Sequence, residues 1–117
     1  MSAIRHLAIL LATIAPAVAQ AQDLATGDAI RAAIVGNTVQ GSMTASGAYT
    51  EFYAEDGTIK GDGYAGKWTV EGDTMCFAYD AEPDCWNVRI DGEAVSWVQG
   101  GVDGGTGTIV AGNPNSF

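Results

Sequence analysis

Histidine occurs once in the 117 residues, at position 6, and five Lys and Arg stand against fourteen Asp and Glu, a formal charge of −9. So few cations cannot neutralise a run of phosphates, which excludes nucleic acid as a partner and argues against an anionic membrane surface. Cysteine is limited to Cys76 and Cys85, with no C-x-x-C pair. No apolar run is long enough to span a bilayer, which takes about 20 residues; Leu7–Ala15 is the nearest approach. What the chain does have is glycine, 16 residues of it, and a hydrophobic fraction of 47%. That fraction excludes a disordered tail, and the length allows one domain.

Arg5 and His6 precede the apolar Leu7–Ala15, and Ala17-Val18-Ala19 supplies the small-x-small pattern of a signal-peptidase site. The sequence therefore predicts a cleaved secretion signal over 1–19, with Ala19-Gln20-Ala21 as the alternative cut, and one β-domain over 20–117. No cysteine stands at either cut, so no lipid anchor and no membrane insertion are expected, and the location is periplasmic or secreted. Cleavage removes Arg5 and the histidine, leaving Arg31, Lys60, Lys67 and Arg89 as the only cations. Without histidine, Ser-His-Asp and Cys-His nucleophiles and His-containing zinc or copper sites are excluded.

In an oxidising compartment two cysteines nine positions apart most simply form one disulfide. Pairing Cys76 with Cys85 across a turn near Asp80-Ala81 sets Met75 opposite Trp86 on the other face, where Phe77, Val88 and Ile90 join them. Gly72-Asp73 reads as a two-residue hairpin loop pairing Val70 with Met75 and Trp68 with Phe77. Asp91-Gly92 reads as another, pairing Val88 with Val95 and Trp86 with Trp97. Asp56-Gly57 pairs Ala54 with Ile59, which puts Phe52 inside and Tyr49 and Tyr53 outside. The expected fold is mostly β: a small antiparallel meander of seven to eight strands closing into a barrel or strongly curled sheet, with one disulfide. A short helix at about 27–35 precedes it, capped by Thr26 and ended at Gly36. Strands are expected near 37–43, 47–54, 58–62, 65–70, 74–79, 85–90, 94–99 and 106–111, and Gly100–Gly107 as a flexible loop.

Two acidic groups, Asp80, Glu82 and Asp84 and then Glu55, Asp56 and Asp62, suggest Ca²⁺ ligands, yet no EF-hand or nonapeptide spacing accompanies them. Solvated loops are the simpler reading, and no metal and no cofactor is expected. Paired carboxylates across a cleft would suit a glycosidase, but a domain this small has little room for one. Catalytic residues are therefore expected to be none. Trp68, Phe77, Trp86 and Trp97 fall on the inferred inner face, either as packed core or as the wall of a ligand-holding barrel.

Gly36-Asn37-Thr38, Tyr53 with Asp56-Gly57-Thr58, Gly66-Lys67-Trp68-Thr69-Val70, Gly72-Asp73, Cys76, Cys85 and Gly112-Asn113-Pro114 together resemble a group of small exported bacterial proteins of unknown function. The resemblance implies export and a disulfide-stapled β-domain, and names no chemistry. Gly66-x-Trp68 is also similar to the Gly-x-Trp of lipocalins, which lies on their first strand and here is mid-chain; that likeness implies a barrel able to carry a small apolar ligand. The chain is further similar in size and export to one-disulfide barrel inhibitors of secreted proteases. From these features the expected function is a non-enzymatic module that binds an unidentified protein or envelope component. An apolar-ligand carrier and a protease-inhibitor-like barrel are the alternatives.

Overall fold

The computed structural model describes residues 23–117. The expected signal at 1–19 and its two cut sites lie outside the described residues.

One helix, α1 (Gly27–Ile34), is followed by eight strands: β1 (Thr38–Met43), β2 (Gly47–Tyr53), β3 (Thr58–Lys60), β4 (Ala65–Glu71), β5 (Thr74–Ala78), β6 (Asp84–Asp91), β7 (Ala94–Gln99) and β8 (Val102–Val110). Each strand pairs antiparallel with the next, and β8 pairs back onto β1 through Thr38↔Val110 to Met43↔Gly105, so the meander closes into a barrel with no free edge. None of the described helices is long and apolar enough to cross a membrane.

Alternation decides what goes inside. Val39, Tyr53, Ile59, Trp68, Met75, Phe77, Val88, Val95 and Trp97 form the buried cluster, with Ile30 and Ile34 of the helix added from one end. The helix starts where the sequence says it should. Thr26 Oγ1 accepts from Ala29 N–H at 3.2 Å, Asp28 lies in the first turn, and Gly36 turns out of it at φ +81°. It is fastened across one mouth of the barrel by backbone and turn groups. Ala25 N–H donates to Val88 O at 2.7 Å, Gly27 N–H to Asp73 Oδ1 at 2.9 Å, and Gly36 N–H to Tyr53 O at 2.7 Å. Arg31 reaches Val70 O at 3.4 Å and stands 6.0 Å over the Trp68 ring. The barrel is thus stoppered at the end where β1 and β5 begin.

Cys76 and Cys85 are bonded, on the register Met75↔Trp86 and Cys76↔Cys85. The β4–β5 register Trp68↔Phe77 and Val70↔Met75 follows from the loop Gly72-Asp73. Replacing both cysteines by Ser is expected to cost about 2.5–3 kcal/mol, because the open chain regains the freedom of a loop of about ten residues. A urea midpoint shift at unchanged slope measures it. A loss below about 1 kcal/mol would mean that the unfolded chain already holds this segment together without the bridge.

Three expectations need correction. The turn at Asp56-Gly57 is one residue longer than a two-residue loop. Ala54 N–H bonds to Thr58 O at 2.9 Å and Gly57 sits at φ +91°, so the register is Tyr53↔Ile59 rather than Ala54 with Ile59. A slip of one residue reverses the faces. Tyr49, Glu51 and Tyr53 therefore point inward and Phe52 lies on the outer face. At the β6–β7 turn the loop is Gly92-Glu93, closed by Asp91↔Ala94, which pairs Val88 with Trp97 and Ile90 with Val95. That slip is two residues, so the faces survive while the partners change. Finally, most of Gly100–Gly107 is strand, with only Gly100-Gly101 left as the loop. Its glycines lie under bulky neighbours: a β carbon on Gly104 would meet the Trp86 ring at 2.5 Å, and one on Gly105 would meet Met43 Sδ at 2.4 Å.

Candidate functional site

Opposite the helix the barrel is open. Its mouth is formed by the β1–β2 loop (Thr44, Ala45, Ser46), by Tyr64 from the β3–β4 turn, and by Tyr79, Ala81 and Glu82 after β5. Behind the mouth lies a cavity of about 730 Å³, within the span usual for small-molecule sites. Phe77 and Trp97 stand edge to face at 5.3 Å, Tyr53 lies 5.9 Å from Phe77, and Trp86 forms part of the wall.

One carboxylate sits among these rings. Glu51 is 6% exposed and lines the cavity. Tyr53 Oη donates to its Oε1 at 2.9 Å and Tyr64 Oη to its Oε2 at 2.7 Å. Tyr79 Oη lies 2.8 Å from both oxygens and shares its proton between them. The fourth tyrosine, Tyr49, accepts from Trp97 Nε1 at 2.7 Å and donates to Thr106 O at 3.0 Å. Every tyrosine in the protein thus lines one cavity. Among the described residues no Lys, Arg or His lines it.

This arrangement keeps the phenols protonated. Burial raises Tyr53 well above the ordinary tyrosine range, and the Glu51 charge pushes further the same way. Tyr79 and Tyr64 are raised first by burial and then by Glu51, through its charge and the hydrogen bond that holds the proton. Tyr49 is raised by burial, partly opposed by the bond from Trp97.

Of the aromatics expected inside, Phe77, Trp86 and Trp97 line the cavity, whereas Trp68 belongs to the helix end, its Nε1 donating to Ala54 O at 2.8 Å. Tyr49, Glu51, Tyr53, Tyr64 and Tyr79 are the part the sequence reading missed. The spacing Tyr49-x-Glu51-x-Tyr53 is the available signal: on a strand, one inward residue of the three carries the other two inward.

Two of the six residues in the acidic loops hold local structure. Asp84 accepts from Gln99 Nε2 at 2.7 Å and Trp86 Nε1 at 3.2 Å, and Asp56 caps its own turn by accepting from Thr58 N–H at 3.0 Å. Among the described residues the metal-ligand atom types converge only at Glu71, Cys76 and Cys85, where the sulfurs are already bonded to each other.

No protein-family model, curated protein or solved structure matches this chain.

Proposed function

We propose that this protein is an exported, non-enzymatic carrier that holds one small, largely apolar molecule in the open end of its barrel. The single observation behind this reading is the cup itself: a closed eight-stranded barrel stoppered by α1 at one end, with an aromatic-walled space of about 730 Å³ at the other. Eight strands give an interior that side chains either fill or leave to one ligand. Here the helix half is filled, by Ile30, Ile34, Val39, Ile59, Met75 and Val88, and the mouth half is not. This puts the small-ligand expectation ahead of the macromolecule-binding one, because the apolar side chains of the mouth face a concavity rather than a flat patch. Export, to the periplasm or beyond, belongs to the same reading and is supported by the Arg5–Ala19 pattern and by the disulfide.

The test is titration of the mature protein with N-phenylnaphthylamine, an uncharged dye that brightens out of water. Saturable binding of about one dye per chain is expected, with a matching change in the emission of Trp86 and Trp97, which line the space. A linear, unsaturable response would overturn the carrier reading.

A further inference from the structure

The polar atoms of the cavity are almost all acceptors. Tyr53, Tyr64 and Tyr79 spend their only protons on Glu51, and Tyr49 spends its proton on Thr106 O. The indole N–H groups are also committed, Trp97 to Tyr49 and Trp86 to Asp84. Apart from the mouth hydroxyls of Thr44 and Ser46, the side chains of the wall can therefore only receive further hydrogen bonds. A carboxylate offers about four lone-pair positions: Tyr53 and Tyr64 take one on each oxygen, and the Tyr79 proton is shared across the other two, so a donor from a ligand is received where that shared bond narrows to one oxygen. A ligand that fits must bring the donors.

Charge points the same way. Glu51 is buried with hydrogen bonds but with no cation lining the cavity among the described residues, and Glu82 and Asp84 add acidity at the rim. Around it stand the rings of Tyr49, Phe77, Trp86 and Trp97. Aromatic faces with a carboxylate at close range form a box that attracts an organic cation and repels an anion. Fatty acids and other carboxylates would face Glu51 across a space of low dielectric, with few donors to receive them.

We propose that the ligand is an organic ammonium: an amine-bearing molecule whose apolar body fills the aromatic cup and whose N–H groups meet Glu51 and the tyrosine oxygens. This deepens the carrier reading and rests on it.

A matched trio separates the two. Naphthylmethylamine, naphthylmethanol and naphthoate share one apolar body and differ in the head group as cation, neutral donor and anion. Isothermal titration calorimetry on the mature protein is expected to rank them in that order, the amine binding about tenfold more tightly than the alcohol, and naphthoate most weakly. Glu51→Gln, which keeps the side chain's shape, should bring amine and alcohol to within about threefold of each other. Tyr64→Phe removes one oxygen that would accept from the ammonium at the exposed rim and should weaken the amine about twofold to threefold while leaving naphthoate no weaker. It serves as the second variant should Glu51→Gln misfold. If the alcohol binds and the amine is no tighter, or naphthoate is tightest, the ammonium proposal falls while the carrier reading stands. If none of the three binds, both fall.

Discussion

Alkaline titration of the native protein should show little tyrosinate near pH 10; Tyr53, Tyr64 and Tyr79 should ionise together, when the barrel opens. Four is the full complement in the chain, so the signal has no contribution from any other phenol. All four are shifted upward from 10.0. In each, burial is the largest cause, because it disfavours the phenolate. Glu51 adds to the shift in every one, since a second negative charge beside the carboxylate is repelled. The consequence for stability has a definite sign. A tyrosine whose folded pKa lies above its unfolded one keeps its proton in the folded state after the unfolded chain has lost it. Stability from this source is complete below pH 10 and declines as pH rises through the raised range. Tyr53, the most deeply buried, should contribute about 1.4 kcal/mol of lost stability per pH unit above 10. Tyr64 and Tyr79 are 45% and 42% exposed at the mouth, so solvent screens Glu51 and each contributes less. Ultraviolet difference absorption against circular dichroism is the measurement. Two or more phenols ionising near pH 10 while the dichroism stays native would dissolve the Glu51 cluster. In Glu51→Gln, Tyr64 and Tyr79 should ionise at lower pH than in the parent, because both the charge and its hydrogen bonds are weakened.

Much of the helix end was readable from the sequence, and little of the mouth. Thr26, Asp28 and Gly36 carry their own local physics, and so does the Cys76–Cys85 hairpin, whose loop length fixes a register that Gly72-Asp73 repeats independently. Asp56-Gly57 and Asp91-Gly92 look alike as dipeptides, but in one the glycine ends a three-residue loop and in the other it opens a two-residue loop. Short-range chemistry does not separate these cases; the closing of the barrel does. The Asp56 slip had the larger consequence because it is odd. It exchanged Phe52, which an apolar interior favours, for Glu51, which an apolar interior rejects unless it is hydrogen-bonded. A carboxylate becomes an acceptable inward residue only when donors are brought to it from elsewhere. Two of those donors, Tyr64 and Tyr79, come from the β3–β4 turn and from the segment after β5, at sequence distances of 13 and 28. No window along one strand contains that information. The glycine-rich start of β8 misled for a related reason: glycine there does not loosen the chain but clears volume for Trp86, Met43 and Tyr49.

The seam where β1 meets β8 should be the least tolerant place in the molecule, and Gly41→Ala should be the costliest single-methyl change in it. Gly41 stands opposite Gly107 on one side and Tyr49 on the other. A β carbon there would lie 1.9 Å from Thr106 O and 2.5 Å from Gly107 Cα, both backbone atoms of the strand that closes the barrel. Backbone in a ladder cannot retreat without breaking the hydrogen bonds that hold it, so relief must come from separating the strands. The expected loss is more than about 3 kcal/mol, against a total of roughly 5–15 kcal/mol for a domain of this kind. Gly107→Ala provides the contrast. Its β carbon would meet the side-chain atoms Tyr49 Oη and Val39 Cγ1, each at 2.5 Å, while the nearest main-chain atom, Gln40 O, is 3.2 Å away. The two side chains can shift, so the loss should be smaller, about 1–2 kcal/mol. The displacement would, however, drag Tyr49 from its bond with Trp97 Nε1 and weaken ligand binding in the cup. Urea unfolding of the two variants, read beside dye titration, distinguishes closure from packing. A cost below about 1 kcal/mol at Gly41 would mean that β1 and β8 are not in contact, and with an open seam there would be no cup to hold a ligand.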